Sequence, residues 1–131
     1  MPILCIDIVL ENQDGQYLLL KRANEPLKGE WWVIGGRVLK GETLKASAER
    51  KLKEEVGITD LNLNCVGIYE DFFDRNSFEL DTLYHTVSVV FKAKLSSSVQ
   101  IKLDSQSDEW RFHPTLPERF TLKCSHFLEQ I

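Results

Sequence analysis

The chain has 131 residues and a formal net charge of −4 at pH 7, with 43% hydrophobic and 27% charged residues. This composition is ordinary for a soluble protein, and the length suffices for one domain with its own core. The acidic balance argues against a broad nucleic-acid or membrane surface. We therefore expect a single domain over residues 1–131 that binds neither nucleic acid nor a membrane.

Three cysteines, Cys5, Cys65 and Cys124, are odd in number and widely separated. They form neither a C-x-x-C motif nor a zinc-ligand spacing, which predicts reduced thiols in the core. The sequence shows no signal peptide, transmembrane run or repeat. Together these features predict a cytoplasmic protein.

The first part of the chain has the pattern of strands joined by turns. An apolar run interrupted by Asp7 predicts a buried strand, and the turn Asn12–Gly15 makes a hairpin with the strand that follows. A third, short strand runs into the pair Gly35-Gly36. The predicted strands are Ile3–Leu10, Tyr17–Lys21 and Trp31–Ile34.

The segment Thr43–Val56 predicts one amphipathic helix. Leu44, Ala48 and Leu52 recur every four residues and so share a face. The adjacent glutamates Glu54-Glu55 stand in the last turn, where the helix macrodipole disfavours negative charge. A cation should offset them, and a divalent metal ion is the natural candidate.

The rest of the chain adds further strands and a second helix. The predicted elements are strands Leu61–Phe73 and Leu83–Leu95 around the polar loop Arg75–Asp81, a short strand Glu109–Phe112, and a closing helix Pro117–Gln130. Mixed strands with two helices predict an α+β fold, in which a sheet is layered between helices.

The spacing within Gly36–Ile58 resembles the Nudix box, G-x5-E-x7-R-E-U-x-E-E-x-G-U, where U is a bulky aliphatic residue. Lys51 stands where the box has its first core glutamate, and every other defined position agrees. A charged surface helix is the weaker interpretation, because charge runs do not fix glycines on both sides. The resemblance implies a Nudix-like mixed sheet between helices (α/β/α) and a hydrolase. The matching residues are Gly36, Glu42, Arg50, Leu52, Glu54, Glu55, Gly57 and Ile58.

Lys51 lies one helical turn before Glu55 and bears on the metal. An ammonium there would repel a second metal ion and could pair with Glu55; the alternative is that Lys51 points to solvent and supports Glu55 electrostatically. We expect at most one tightly held ion, Mg²⁺ with Mn²⁺ as an alternative, bound by Glu54 and Glu55. The resemblance adds the backbone carbonyl of Gly35. Bare backbone at Gly35-Gly36 would let a metal approach closely, and a simple tight turn is the other interpretation.

A second resemblance covers most of the chain and is closer. Its segments look like those of GDP-mannose mannosyl hydrolases, which also lack the first core glutamate of the box. That family attacks the sugar carbon and releases GDP and free sugar with inversion. The segments are Asp7–Asn12, Leu19–Arg22, Gly29–Trp32, Gly35–Val38, Phe72–Asp74 with Asn76, and Asp104–Arg111.

The second resemblance implies a role for several side chains, and a homodimer. Arg22 and Arg37 would hold the diphosphate of a small nucleotide substrate as planar forks, and Arg50 would brace the metal carboxylates. Asp7 would lie by the sugar, where a carboxylate favours developing positive charge; a strand-edge aspartate satisfied by backbone donors is the alternative. The implied magnesium ligands are the Gly35 carbonyl, Glu55 and Gln106.

Two positions depart from the mannosyl hydrolase pattern. Ser107 replaces that family's general base, a histidine, and Asp71 replaces a second histidine beside the sugar. A carboxylate base would need a raised pKa. The candidate bases are Asp71, Asp108, Glu109 and Glu54, and His113 and His85 are less favoured candidates.

Three functions therefore stay open on the sequence. The first is a nucleotide-sugar hydrolase that attacks carbon. The second is a diphosphatase that cleaves P–O in a nucleoside diphosphate derivative or a damaged nucleoside triphosphate, which the adjacent Glu54-Glu55 pair favours. The third is a nucleotide-binding module of weak activity, which Lys51 and Ser107 together favour.

Overall fold

A computed structural model describes residues 1–23, 28–74, 83–96, 101 and 107–131 of the chain. Its described strands form one mixed sheet in which only the β1–β6 pair is parallel. The strand order is β3-β2-β1-β6-β5, with β4 also pairing β1 and β7 also pairing β2. The elements are β1 Ile3–Glu11, β2 Tyr17–Arg22, β3 Trp31–Trp32, β4 Ile34–Arg37, α1 Leu44–Val56, β5 Asn64–Asp74, β6 Leu83–Lys94, β7 Ser107–His113, α2 Glu118–Lys123 and a 3₁₀ helix Ser125–Gln130.

The two faces of the sheet each have a hydrophobic core. Successive strand residues point to opposite faces, so Ile6 and Ile8 of β1 pack with Leu52 of α1, while Val9 packs with Phe120 of α2. We call these the α1 face and the α2 face. The predicted α+β fold, with a mixed sheet between helices, is confirmed.

Helix α1 begins and ends as its sequence predicts. The Thr43 hydroxyl accepts a hydrogen bond from Ala46 N–H at 3.0 Å, which makes Thr43 the N-cap. Gly57 takes the left-handed conformation at φ 70° and closes the helix. The predicted apolar face is wrong at Leu44, which is exposed in the first turn. The buried face begins one turn later and consists of Ser47, Ala48, Lys51, Leu52, Glu55 and Val56.

Two predicted elements are each divided in the structure. The strand predicted at Trp31–Ile34 is split at Val33, because β3 pairs with β2 whereas β4 pairs with β1. The helix predicted at Pro117–Gln130 ends at Lys123 and resumes as 3₁₀ turns, with Phe127 at φ −136°. Phe127 packs onto β5, where its ring fills the space beside Gly67.

All three cysteines are free, but the prediction that they lie in the core holds only for Cys124. Burial raises the pKa of its thiol to about 12. Cys5 of β1 is half-buried, and Cys65 of the edge strand β5 is exposed. No helix within the described ranges is long and apolar enough to cross a membrane. The predicted loop Arg75–Asp81 and the predicted ligand Gln106 lie outside the described residues.

Candidate active site

Strand β4 separates two clusters of charged side chains. Gly35 pairs with Asp7 across the ladder and Gly36 pairs with Ile6, so the two glycines face opposite sides of the sheet. A Cβ on Gly35 would collide with Asp7 Oδ1, and one on Gly36 would lie 2.5 Å from Lys51 Cε. Each glycine therefore leaves room for a charged side chain. The tight-turn interpretation is wrong, since both glycines belong to a strand.

The backbone of Gly35 is oriented away from β1. Val38 N–H donates to the Leu4 carbonyl at 3.0 Å, and hydrogen-bonded pairs alternate along an antiparallel ladder. Gly35 therefore falls in a non-hydrogen-bonded pair with Asp7, and its carbonyl is directed away from β1. This orientation suits the metal-ligand role that the resemblance implies for this carbonyl.

On the α1 face, Lys51 and Glu55 form a buried ion pair. Lys51 Nζ lies 3.3 Å from Glu55 Oε1 and 3.8 Å from Glu54 Oε2. The side chains of Lys51 and Glu55 are 9% and 7% exposed, whereas that of Glu54 is 48% exposed. The predicted Lys51–Glu55 pairing is confirmed, and the alternative in which Lys51 points to solvent is wrong.

Arg50 ties three parts of this face together. Its Nε donates to Glu42 at 2.6 Å, its Nη1 donates to both carboxylate oxygens of Glu54 at 3.2 Å, and its Nη2 donates to the Arg37 carbonyl at 3.0 Å. Hydrogen bonds from Arg50 and from Leu39 N–H lower the pKa of Glu42 to about 2. The hydrogen bonds that Arg50 donates to Glu42 and Glu54 raise the pKa of Arg50. Arg50 thus joins the helix entrance, the last helical turn and the end of β4.

On the α2 face, Asp7 is a buried carboxyl in the interior of the sheet. It pairs with Gly35 on one side and Val90 on the other, so the strand-edge alternative is wrong. The Tyr69 hydroxyl donates a hydrogen bond to Asp7 Oδ2. Burial raises the pKa of Asp7 to about 7, although the Tyr69 hydrogen bond and the charge of Arg22 act in the opposite direction. Burial, with the neighbouring Asp7 charge, also raises the pKa of Tyr69.

Asp71 lies on the same face and is held by cations of α2. Arg119 Nη2 lies 3.2 Å from its Oδ2, Lys123 Nζ lies 3.1 Å from its Oδ1, and Phe72 N–H donates to Oδ1 at 2.9 Å. Using Asp71 as a base would break these contacts. Neither cation is among the residues predicted from the sequence, although their four-residue spacing places them on one face of a helix.

The other candidate bases of the described residues also have partners. Glu54 is held by Arg50, and Glu109 lies 3.8 Å from Lys21 at the surface. His85 bonds Glu70 at 2.8 Å and stacks on Phe72, whereas His113 bonds Thr115. The side chains of Ser107 and Asp108 lie outside the described part of the structure.

The donors present suit a single magnesium ion open to substrate. Among the described residues, no group of three or more His, Cys, Asp or Glu side chains could enclose a metal ion. Mg²⁺ commonly takes one or two protein carboxylates and completes its shell with phosphate oxygens and waters. Glu55 and the Gly35 carbonyl fit that pattern. Glu54 fits it less well, since it is half exposed and bonded to Arg50.

The predicted substrate arginines are near Asp7. The charge of Arg22 acts on Asp7, and the charge of Arg37 acts on Cys5, which faces the same side of β1 two residues before Asp7. The structure therefore places Arg37 and Asp7 on the α2 face, and it brings Arg22 close enough for its charge to act on Asp7. It places Arg50, Glu54 and Glu55 on the α1 face, with Gly35 between the two groups.

Comparison with known proteins identifies the family. The family model described as NUDIX domain matches residues 1–118. The low-salt glycan biosynthesis protein Agl8 of Haloferax volcanii is 32% identical over 115 residues, which are 87% of this chain and 72% of that protein. The chain belongs to the Nudix hydrolase family and is an enzyme of that class.

Two further comparisons agree with this assignment. The ADP-ribose pyrophosphatase of Methanocaldococcus jannaschii is 34% identical over 90 residues, which cover 69% of this chain but only 49% of that protein. The crystal structure of a MutT protein from Methanosarcina mazei Go1 matches with a TM-score of 0.76 and 26% identity. That alignment covers 98% of this chain and 95% of the other. Nudix hydrolases generally use a divalent metal ion.

Proposed function

We propose that this protein is a magnesium-dependent hydrolase of a nucleotide sugar such as GDP-mannose or GDP-glucose, and that it attacks the anomeric carbon. The observation that carries this proposal is the different placement of Glu54 and Glu55. Glu55 is buried beside β4, whereas Glu54 is 48% exposed and bonded to Arg50. One helix carboxylate, rather than two, is the ligand set that the mannosyl hydrolase resemblance implies.

The charges on the α2 face support a nucleotide-sugar substrate. Arg22 and Arg37 would bind the diphosphate, since a guanidinium matches phosphate oxygens as a fork and neutralises the leaving group. Asp7 lies on the α2 face with Arg37 and feels the charge of Arg22, and an ionised carboxylate there favours positive charge on the sugar. A relative named for glycan biosynthesis is consistent with a sugar-bearing substrate.

The proposed reaction is a displacement by water. The water oxygen forms a bond to the anomeric carbon, and the bond from that carbon to the diphosphate oxygen breaks. The nucleoside diphosphate leaves with the electron pair, and its charge is balanced by Arg22 and Arg37. Asp7 accepts the proton of the water, since a pKa of about 7 suits a proton acceptor at neutral pH. Bound Mg²⁺ would supply further neutralisation of the diphosphate, with Glu55, Gly35 and Gln106 holding it.

The remaining proposals follow from this substrate. A small nucleotide is the partner, with neither nucleic acid nor a membrane, and Mn²⁺ can replace Mg²⁺. The single domain over residues 1–131, the homodimer and the cytoplasmic location remain predictions.

Isotope transfer from water tests the site of attack. The protein is incubated with Mg²⁺ and GDP-mannose in oxygen-18 water, and the products are examined by phosphorus-31 spectroscopy and mass spectrometry. GDP without the heavy isotope, together with labelled free mannose, is the expected result. GMP and mannose phosphate, one of them labelled, would contradict the proposal and establish attack at phosphorus. That result would support the second of the three functions, a diphosphatase, which is also the activity named for the ADP-ribose pyrophosphatase relative.

Absence of any product from GDP-mannose and other nucleotide sugars would contradict the proposal in another way. Nucleotide binding without turnover would then support the third function, a nucleotide-binding module of weak activity. Lys51→Glu separates the last two cases. Restoring the missing box glutamate should produce phosphorus-directed turnover if the chain is a diphosphatase, and neither chemistry if it is a binding module.

A further inference from the structure

The side chain of Lys51 lies beside the proposed metal ligand Glu55, where a metal ion would be expected. It is 9% exposed and lies against Gly36, where a Cβ would be 2.9 Å from Lys51 Cδ and 3.1 Å from its Nζ. Any larger residue at position 36 would meet this side chain. The ammonium is thus held between strand β4 and the last turn of α1.

Lys51 also has the electrostatic partners of a site cation. Its Nζ is within ion-pair distance of Glu55 and Glu54, at 3.3 and 3.8 Å. These carboxylates stand at the negative end of α1, where a cation is favourable. A buried ammonium is costly to desolvate and is stable only with such partners.

We propose that the Lys51 ammonium is a resident cation that replaces one divalent ion of the metal site. It neutralises the helix carboxylates before any metal binds, so the metal-free protein keeps this part of the site assembled. The site then takes one divalent ion, which binds against the repulsion of the ammonium. The inference rests on the proposed function only for the assignment of Glu55 as a metal ligand.

Metal binding and thermal unfolding test this proposal without a substrate. The variants are Lys51→Met, which keeps the length of the side chain but removes its charge, and Lys51→Glu. Lys53→Met is the matched control, because Lys53 is an exposed lysine of the same helix. Mn²⁺ is titrated by electron paramagnetic resonance, and Tm is measured in a chelator and in saturating Mg²⁺.

The expected results separate the three variants. The natural protein and Lys53→Met should bind one Mn²⁺ ion per chain, and their Tm should rise by the same amount when Mg²⁺ replaces the chelator, since one bound ion stabilises both native states equally. Lys51→Met should have a lower Tm in the chelator, because the buried Glu55 charge loses its ammonium. Mg²⁺ should restore that Tm, and Mn²⁺ affinity should rise by about 10-fold or more. Lys51→Glu should bind a second ion.

Several outcomes would overturn the proposal. One is that the natural protein binds two Mn²⁺ ions. Another is that Lys51→Met has the same Tm and Mn²⁺ affinity as Lys53→Met. A third is that Lys51→Met stays unfolded even in Mg²⁺. The two proposals can fail separately. If Lys51→Met responds to metal as expected but the isotope experiment shows attack at phosphorus or no turnover, the proposed function is rejected and this inference stands. Carbon attack with an unchanged metal response would do the reverse.

Discussion

The two faces of β4 present the same kind of groups but assemble them differently. On the α1 face the contacts are local, since Lys51–Glu55 and Arg50–Glu54 are each separated by four residues of one helix. On the α2 face the contacts are distant in sequence, since Tyr69 lies 62 residues from Asp7 and Arg119 lies 48 residues from Asp71. The first cluster is encoded within one segment, whereas the second exists only once the sheet has formed.

The faces also differ in how their carboxylates are stabilised. On the α1 face Glu42, Glu54 and Glu55 each meet a cation. On the α2 face Asp7 receives a hydrogen bond from a neutral phenol, and burial raises its pKa to about 7. Asp71 of the α2 face also meets cations, Arg119 and Lys123. The α1 face is therefore suited to hold fixed charge, and Asp7 on the α2 face is suited to exchange a proton. The following predictions test this contrast.

The largest effect is expected for Glu55→Gln. The substitution keeps the shape of the side chain but removes the carboxylate, so kcat in Mg²⁺ should fall by about 100-fold or more. Glu49→Gln, an exposed glutamate of the same helix, should leave kcat unchanged. Equal rates for Glu55→Gln and the natural protein at saturating Mg²⁺ would remove Glu55 from the metal site.

The next effect concerns Asp7 and separates chemistry from binding. Asp7→Asn should lower kcat for carbon attack by about 100-fold, because the amide neither accepts the proton of the water nor favours positive charge on the sugar. The Kd of the nucleoside diphosphate product should change by less than about 3-fold, a difference below 1 kcal/mol. An equal loss of turnover and product affinity would show that Asp7 has a structural role.

Tyr69→Phe sharpens the same prediction. It keeps the Asp7 carboxylate and removes the hydrogen bond that lowers the pKa of Asp7. The limb of the pH–rate profile that belongs to Asp7 should therefore move to higher pH, while product affinity stays constant. An unmoved profile would mean that the Tyr69 hydroxyl does not act on Asp7.

The two glycines of β4 give a matched pair of stability measurements. Gly35→Ala should lower the unfolding free energy by about 1–3 kcal/mol, because its Cβ would meet the buried Asp7 carboxyl and lie 3.0 Å from the Ile6 carbonyl. Gly36→Ala should cost less than about 1 kcal/mol, because the atoms it meets are the flexible end of Lys51. Denaturant unfolding measures both, and the opposite order would contradict the placement of these side chains.

The last prediction concerns the dependence of stability on pH. The pKa of Asp7 is raised from 3.8 to about 7, so the stability that this group contributes below pH 3.8 is lost as pH rises through 7. The pKa of Glu42 is lowered from 4.5 to about 2, so its contribution above pH 4.5 is lost as pH falls through 2. The Asp7 limb has a slope of at most about 1.4 kcal/mol per pH unit.

Single substitutions assign the two limbs. Asp7→Asn should flatten the change between pH 4 and 7 and keep the acid limb, whereas Glu42→Gln should do the opposite. Chemical denaturation across the pH range measures both variants. A natural protein whose stability is constant between pH 4 and 7 would show that Asp7 is not held in the native state as described.

The sequence predicted the site best where its contacts are local. Helical spacing indicated that Lys51 could pair with Glu55, and Gly57 marked the end of α1. Prediction from the sequence failed where the partner of a side chain comes from another element. The cations that hold Asp71 belong to α2, and their contact with β5 could not be derived from either segment alone.

The sequence by itself determined the Nudix family, the α+β fold and the helix that carries Arg50, Glu54 and Glu55, because these depend on spacing within short segments. Only the tertiary structure decided which of those carboxylates is buried. It also decided that Gly35 and Gly36 leave room for side chains on opposite faces, and that Asp7 is interior. The physical reason is that burial and the pKa of a carboxyl depend on neighbours brought together by strand pairing, which spacing within one segment does not contain.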